Sequence, residues 1–212
     1  MASIFRSRII LRQKRYLSLI FVLLMACHSG FGLSKYGVID HEVYQSNLRK
    51  YLLPAIDTSN AKVIVEFMAV PSFEPEYAIR LVKQSNQYIF EGYFFKKNYW
   101  DELFSNSRTT KYVRFDPEVM SLSSFVSVAF VERLQLKLNK TFPKLADNRP
   151  GDAAVDGVEY RLRLNNGENR NVKIVSEPRE GDIGYDLILL FTQIADGLKN
   201  QTFDELKCNV SK

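Results

Sequence analysis

The sequence predicts a single α+β domain, an antiparallel sheet of about five or six strands packed by its inner face on two long helices. Three observations carry that prediction. Two stretches alternate apolar and polar residues around Asn, Ser and Gly, as hairpins do. Two others repeat apolar residues at helical spacing, and each hairpin precedes one of them in the chain.

Taken in order, residues 1–27 read as an export leader. Arg6, Arg8, Arg12, Lys14 and Arg15 precede an apolar run over residues 16–26, and no acidic residue occurs before Asp40. The apolar core, residues 17–26, is about half the roughly 20 residues that a transmembrane helix needs. Leu24, Met25, Ala26 and Cys27 resemble the bacterial lipobox, which implies acylation of Cys27; Met25 departs from the usual small or β-branched residue of that motif. The competing reading is that Cys27 simply ends the leader and cleavage falls shortly after it. Residues 28–41, with Gly30 and Gly32, form a flexible lead, residues 42–207 the domain, and residues 208–212 a tail.

A helix is predicted over residues 42–53, where Val43, Leu48, Tyr51 and Leu52 share a face and Pro54 stops the pattern. Residues 62–70 are nearly continuous in apolar and β-branched types and read as a central strand ended by Pro71. Over residues 76–96, Tyr77, Ile79 and Leu81 alternate with Glu76, Ala78 and Arg80. Gln84, Ser85 and Asn86 then turn the chain into a second arm, completing a hairpin.

The second arm and the segment after it, residues 88–104, are rich in aromatic residues, and two readings compete. In one, Tyr93, Tyr99 and Trp100 remain at a surface, where such rings stack on sugars or anchor a protein partner. In the other, Phe90, Phe94, Phe95 and Trp100 are core. The run Pro71-Ser72-Phe73-Glu74-Pro75-Glu76-Tyr77, with Tyr99-Trp100 after the hairpin, resembles small exported bacterial proteins and lipoproteins of unassigned function. The resemblance implies export and supplies no catalytic residue.

Residues 111–115 are a short strand candidate closed by Asp116-Pro117. Residues 121–138 read as a helix through Phe125, Val126, Ala129, Phe130, Leu134 and Leu138, capped by Ser121 or Asp116. A loop follows over residues 143–156. In the second hairpin Val158, Tyr160, Leu162 and Leu164 face the core, Asn165-Asn166-Gly167 turns, and Val172 and Ile174 are expected to continue the buried face. Its other face is expected to be wet, as in a sheet covered on one side only. The last helix, residues 183–198, carries Leu187, Leu190, Phe191, Ile194, Ala195 and Leu198 inward, with Asp182 as its N-cap.

Charge and composition exclude several classes. The chain has 29 basic and 24 acidic residues, and the leader holds five of the basic ones, so the remainder is balanced at 24 against 24. The basic balance belongs to the leader, which removes the main argument for nucleic-acid binding. Two histidines, His28 and His41, and two cysteines, Cys27 and Cys208, offer neither a metal-ligand spacing nor a nucleophile with its base. Phosphate-binding glycine loops are missing, so no cofactor is expected.

Glu74, Glu76, Asp101 and Glu102 are the carboxylates from which a glycoside-cleaving pair could be built. Arg161, Arg163, Arg170 and Lys173 could form a cationic face on the second hairpin; solvated surface charge is the plain explanation of both groups. The sequence therefore leads to an exported, noncatalytic protein of the periplasm or outer cell envelope, tethered to a membrane only through Cys27. Its expected partner is an envelope protein, peptide or glycan. The alternatives are a carboxylate-dependent envelope hydrolase and an inhibitor of a foreign enzyme.

Overall fold

The computed structural model describes residues 41–57, 59–109, 116–145, 157–166, 169–176 and 178–208. The leader with Cys27, the strand candidate at 111–115, most of the loop at 143–156 and the turn at 167–168 lie outside the described residues. Among those described, the elements in chain order are α1 (His41–Leu52), β1 (Ala61–Pro71), β2 (Tyr77–Gln84), β3 (Gln87–Phe95), α2 (Tyr99–Thr109), β4 (Val119–Val126), α3 (Val128–Thr141), β5 (Val158–Asn166), β6 (Asn169–Ser176) and α4 (Tyr185–Lys199). The six strands form one antiparallel sheet in the order β4-β3-β2-β1-β5-β6. The α+β class, the two hairpins and the two long helices are as the sequence predicts.

Both faces of the sheet have apolar contacts to make. One face buries Phe67, Ile79, Leu81, Phe90 and Leu162 against Phe130, Leu134 and Leu138 of α3 and Leu187, Phe191 and Ile194 of α4. The other buries Met68, Ala78 and Phe95 against Tyr44, Leu48 and Leu52 of α1 and Tyr99 of α2. None of the described residues of β5 or β6 belongs to this second core. The expectation of a sheet covered on one side thus holds at its two ends, because α1 and α2 roof the middle strands while Ser121, Ser123 and Phe125 of β4 stay exposed.

Three local expectations are corrected. Residues 119–126 are a strand, not the first half of a helix. Met120, Leu122 and Val126 lie opposite Phe94, Gly92 and Tyr88 of β3, while Phe125 points away and is 67% exposed. The helix begins only after Ser127, whose Oγ accepts from the N–H of Phe130 at 3.2 Å, so Ser127 and not Ser121 or Asp116 is the cap. The spacing of Phe125, Val126, Ala129 and Phe130 mimics a helix across a strand-to-helix junction.

Second, Val172 and Ile174 do not continue the buried face. They lie opposite Arg163 and Arg161, whereas Val175 lies opposite Tyr160 and is buried. Because side chains alternate with period two, the register of the turn sends Val172 and Ile174 to the open face. Third, Asp182 does not cap the last helix. Its carboxylate accepts from the N–H of Arg179 at 2.7 Å, and the cap position is Gly184 at φ 101°.

A bulge in β1 divides its residues between the two faces. The pairing with β2 shifts between Val63 and Val65, so Ile64 and Val65 both join the core under α3 and α4. Val63 and Glu66 are left on the opposite face.

Candidate functional site

On the face that carries Val63 and Glu66, four charged residues stand at directly paired positions across four neighbouring strands. Glu91 of β3 is opposite Arg80 of β2, Arg80 is opposite Glu66 of β1, and Glu66 is opposite Arg163 of β5. Alternating charge at cross-strand neighbours is favourable. Glu66, Arg80 and Glu91 come from largely apolar stretches and Arg163 from the alternating strand β5, so the row exists only once the registers are set.

Arg80 is the most buried member, 4% exposed, and every donor it uses has an acceptor. Its Nε donates to Glu91 Oε2 at 2.6 Å, one terminal nitrogen to the carbonyl of Pro54 at 2.6 Å, and the other to Tyr93 Oη at 2.9 Å. The Tyr93 hydroxyl donates in turn to Glu91 at 3.1 Å. A buried guanidinium is tolerated because a carboxylate and two neutral acceptors replace its water. The contact to Pro54 also pins the segment after α1 over the sheet.

Arg163 donates to Glu66 Oε2 at 2.9 Å, and Arg49, on α1, approaches the same oxygen at 3.7 Å. Arg161 pairs with Glu159. Between the segment after α1 and the strands β1, β2 and β5 lies an open groove of about 500 Å³, walled by Leu53, Pro54, Ile56, Val63, Arg80 and Arg163. A smaller recess of about 30 Å³, bounded by Arg49, Met68, Arg161 and Val172, shares Leu53, Glu66 and Arg163 with it, so the two lie side by side. The larger volume falls within the usual size of ligand sites.

The structure separates the three aromatic candidates. Tyr93 touches the site through Arg80, whose guanidinium carbon lies 5.2 Å from the ring centroid. Tyr99 is 0% exposed, stacked on Tyr44 and packed by Phe95, so the expectation that it stays at a surface is corrected. Phe95 and α1 roof it, a burial that only the second helical layer creates. Trp100 is half-buried, edge-on to Tyr44 at 4.9 Å, in the second core and away from the groove.

The carboxylates near the first hairpin differ in setting, from fully buried to exposed. Glu76 is 0% exposed and accepts from the Tyr44 hydroxyl at 2.6 Å, from the N–H of Tyr99 at 2.7 Å and from that of Trp100 at 3.2 Å. Burial pushes its carboxyl above the ordinary range, and the Tyr44 hydroxyl and the helix amides pull it part of the way back. It acts as an anchor for the N-terminus of α2. Glu74 and Asp101 are exposed, and Glu102 pairs with Lys97 at 3.2 Å.

The proposed cationic face is divided. Arg161 and Arg163 share the open side, Lys173 lies opposite Leu162 on the other, and Arg170 is outside the described side chains. Cys208 is half-buried, and burial raises its thiol above the ordinary range. Among the described residues no three His, Cys, Asp or Glu side chains are grouped to hold a metal, and no helix is long and apolar enough to cross a membrane. No protein-family model matches the chain, and neither a curated protein nor a solved structure was found similar to it.

Sequence reading missed Glu66, Arg80, Glu91 and Arg49 as partners. A signal was present: Glu66 interrupts the apolar run Val63-Ile64-Val65 and Phe67-Met68-Ala69, and Arg80 sits between Ile79 and Leu81. A charge inside a buried strand demands a partner.

Proposed function

We propose that this chain is an exported, noncatalytic protein of the cell envelope that binds a protein, peptide or glycan partner in the groove beside α1. The observation that carries the reading is the groove itself. It pairs an apolar wall, Leu53, Pro54 and Ile56, with fixed charges held by cross-strand partners. A site made of positioned charges on strands is preorganised for recognition. Its most buried charges are committed to one another, which supports holding a ligand over transforming one.

Export rests on the basic and apolar layout of residues 6–27, and a lipid tether on Cys27. Fractionation of cells expressing the full chain, with mass measurement of the mature N-terminus, tests this part. The expected species lacks residues 1–26 and carries acyl groups on Cys27. An unprocessed chain in the cytosol overturns export, and a mature N-terminus beyond Cys27 overturns the tether. Crosslinking from a photoreactive group placed at Ile56, in intact cells, tests the groove. Partner adducts should form there and not from the same group at Lys140 on α3; equal labelling from both overturns the site.

A further inference from the structure

We infer that the groove takes an extended acidic peptide segment of a partner protein, laid along α1 over the open face of β1 and β5. The inference rests on the binding reading above and narrows it to one ligand chemistry. The walls of the groove and of the small recess beside it carry five cations, Arg49, Lys62, Arg80, Arg161 and Arg163, and one carboxylate, Glu66. Counting also Glu91 and Glu159, which pair Arg80 and Arg161, five cations face three carboxylates. Asp57, in the loop beside Ile56, accepts from Ser59 and Asn60 and keeps its negative charge, a fourth carboxylate. One positive charge therefore remains in excess, and such a local excess attracts and orients an anionic partner.

The pattern of charge selects among anions. Arg49 has a side chain open to a newcomer, 52% exposed, and its contact with Glu66 is long at 3.7 Å. Arg163 shares that same carboxylate. A ligand carboxylate can therefore be received by Arg49 without breaking the shorter pair. Glu66 lines both the groove and the recess, where it repels a densely charged chain such as polyphosphate. Between the charges lie Leu53 and Val172, the latter 41% exposed, which accept aliphatic side chains. Among the described residues no aromatic ring lines the groove or the recess, so these walls offer no stacking platform of the kind that sugars use. Alternate acidic and aliphatic side chains on an extended peptide match this spacing of charge and apolar floor.

The test uses the full-length chain in detergent and a fluorescein-labelled peptide alternating glutamate and leucine, read by anisotropy. Binding is expected at low ionic strength and weakens as salt is raised. The double variant R49A/R161A should lose about tenfold or more in affinity. Arg49→Ala alone, on an exposed side chain, should weaken binding while leaving the thermal transition in place. Lys140→Ala, which removes one charge from the far side of the sheet, should change nothing. Tighter binding of polygalacturonate or of polyphosphate than of the peptide overturns the peptide assignment and leaves the groove as a binding site. Peptide affinity that is the same in wild type and R49A/R161A overturns the placement. No binding of any of the three probes by the folded protein overturns both this inference and the groove reading.

Discussion

Glu76 shows how one side chain can set the position of two helices. It lies just before β2, accepts from the hydroxyl of Tyr44 on α1 and from the first amides of α2, and so ties both to the start of the same strand. Its three donors are buried with it, and Glu76→Gln would set amide hydrogens against them. That substitution is expected to cost about 2 kcal/mol at neutral pH, measured by urea unfolding. The sign of its pH dependence follows from burial. A carboxyl raised in the folded state contributes stability that is full below its ordinary value of 4.5 and lost as pH rises through the raised one. The gap between wild type and Glu76→Gln should therefore widen toward pH 4.5. A gap that narrows in acid would show that the helix amides outweigh burial.

Among the elements, junctions decide more than interiors. Helix α3 starts where Ser127 caps it, and the same serine is held by Glu205 of the C-terminal segment, which accepts from its backbone N–H and its hydroxyl. Ser127→Ala should cost about 1 kcal/mol and raise amide exchange in residues 203–207 together with the first turn of α3. Helix α4 starts at Gly184, whose φ of 101° suits glycine, and an added Cβ would lie 2.1 Å from Leu145 Cδ2. Gly184→Ala is expected to destabilise by roughly 1–3 kcal/mol, seen as a lower urea midpoint, since both backbone strain and a clash oppose it. A neutral result would mean that the loop before α4 can shift freely. Gly92 serves differently: it leaves room on β3 for the Phe94 ring and Leu198, which a Cβ would approach to 2.7 Å and 3.3 Å.

Across the molecule as a whole, two cores on opposite faces of one sheet leave the β5–β6 end open on one side, and the groove lies at that boundary. Buried phenols on both sides give the fold an alkaline limit. Burial pushes Tyr77 up to about 12 and raises Tyr44, Tyr93, Tyr99 and Tyr160. The unfolded chain ionises these groups near pH 10, so stability is full below that and falls as pH rises. Tyr77→Phe should remove about 2 kcal/mol of the loss between pH 10 and 12, measured by chemical unfolding at each pH. An unchanged slope would mean that the ring is solvated in the folded state.

The α+β class, both hairpins, the outer helices and the apolar residues of the larger core were legible in the sequence. These depend on local periodicity, and periods of 2 and 3.6 are written in consecutive residues. The register of the strands was decided elsewhere. Whether residues 119–126 form a strand depends on β3 being there to pair with them. Whether Tyr99 is core depends on α1 arriving from fifty residues away. The row Glu91, Arg80, Glu66, Arg163 draws one charge from each of four strands, and nothing local to any strand says which partner it meets. Only the folded sheet brings opposite charges within reach, because cross-strand neighbours are adjacent in space and distant in the chain.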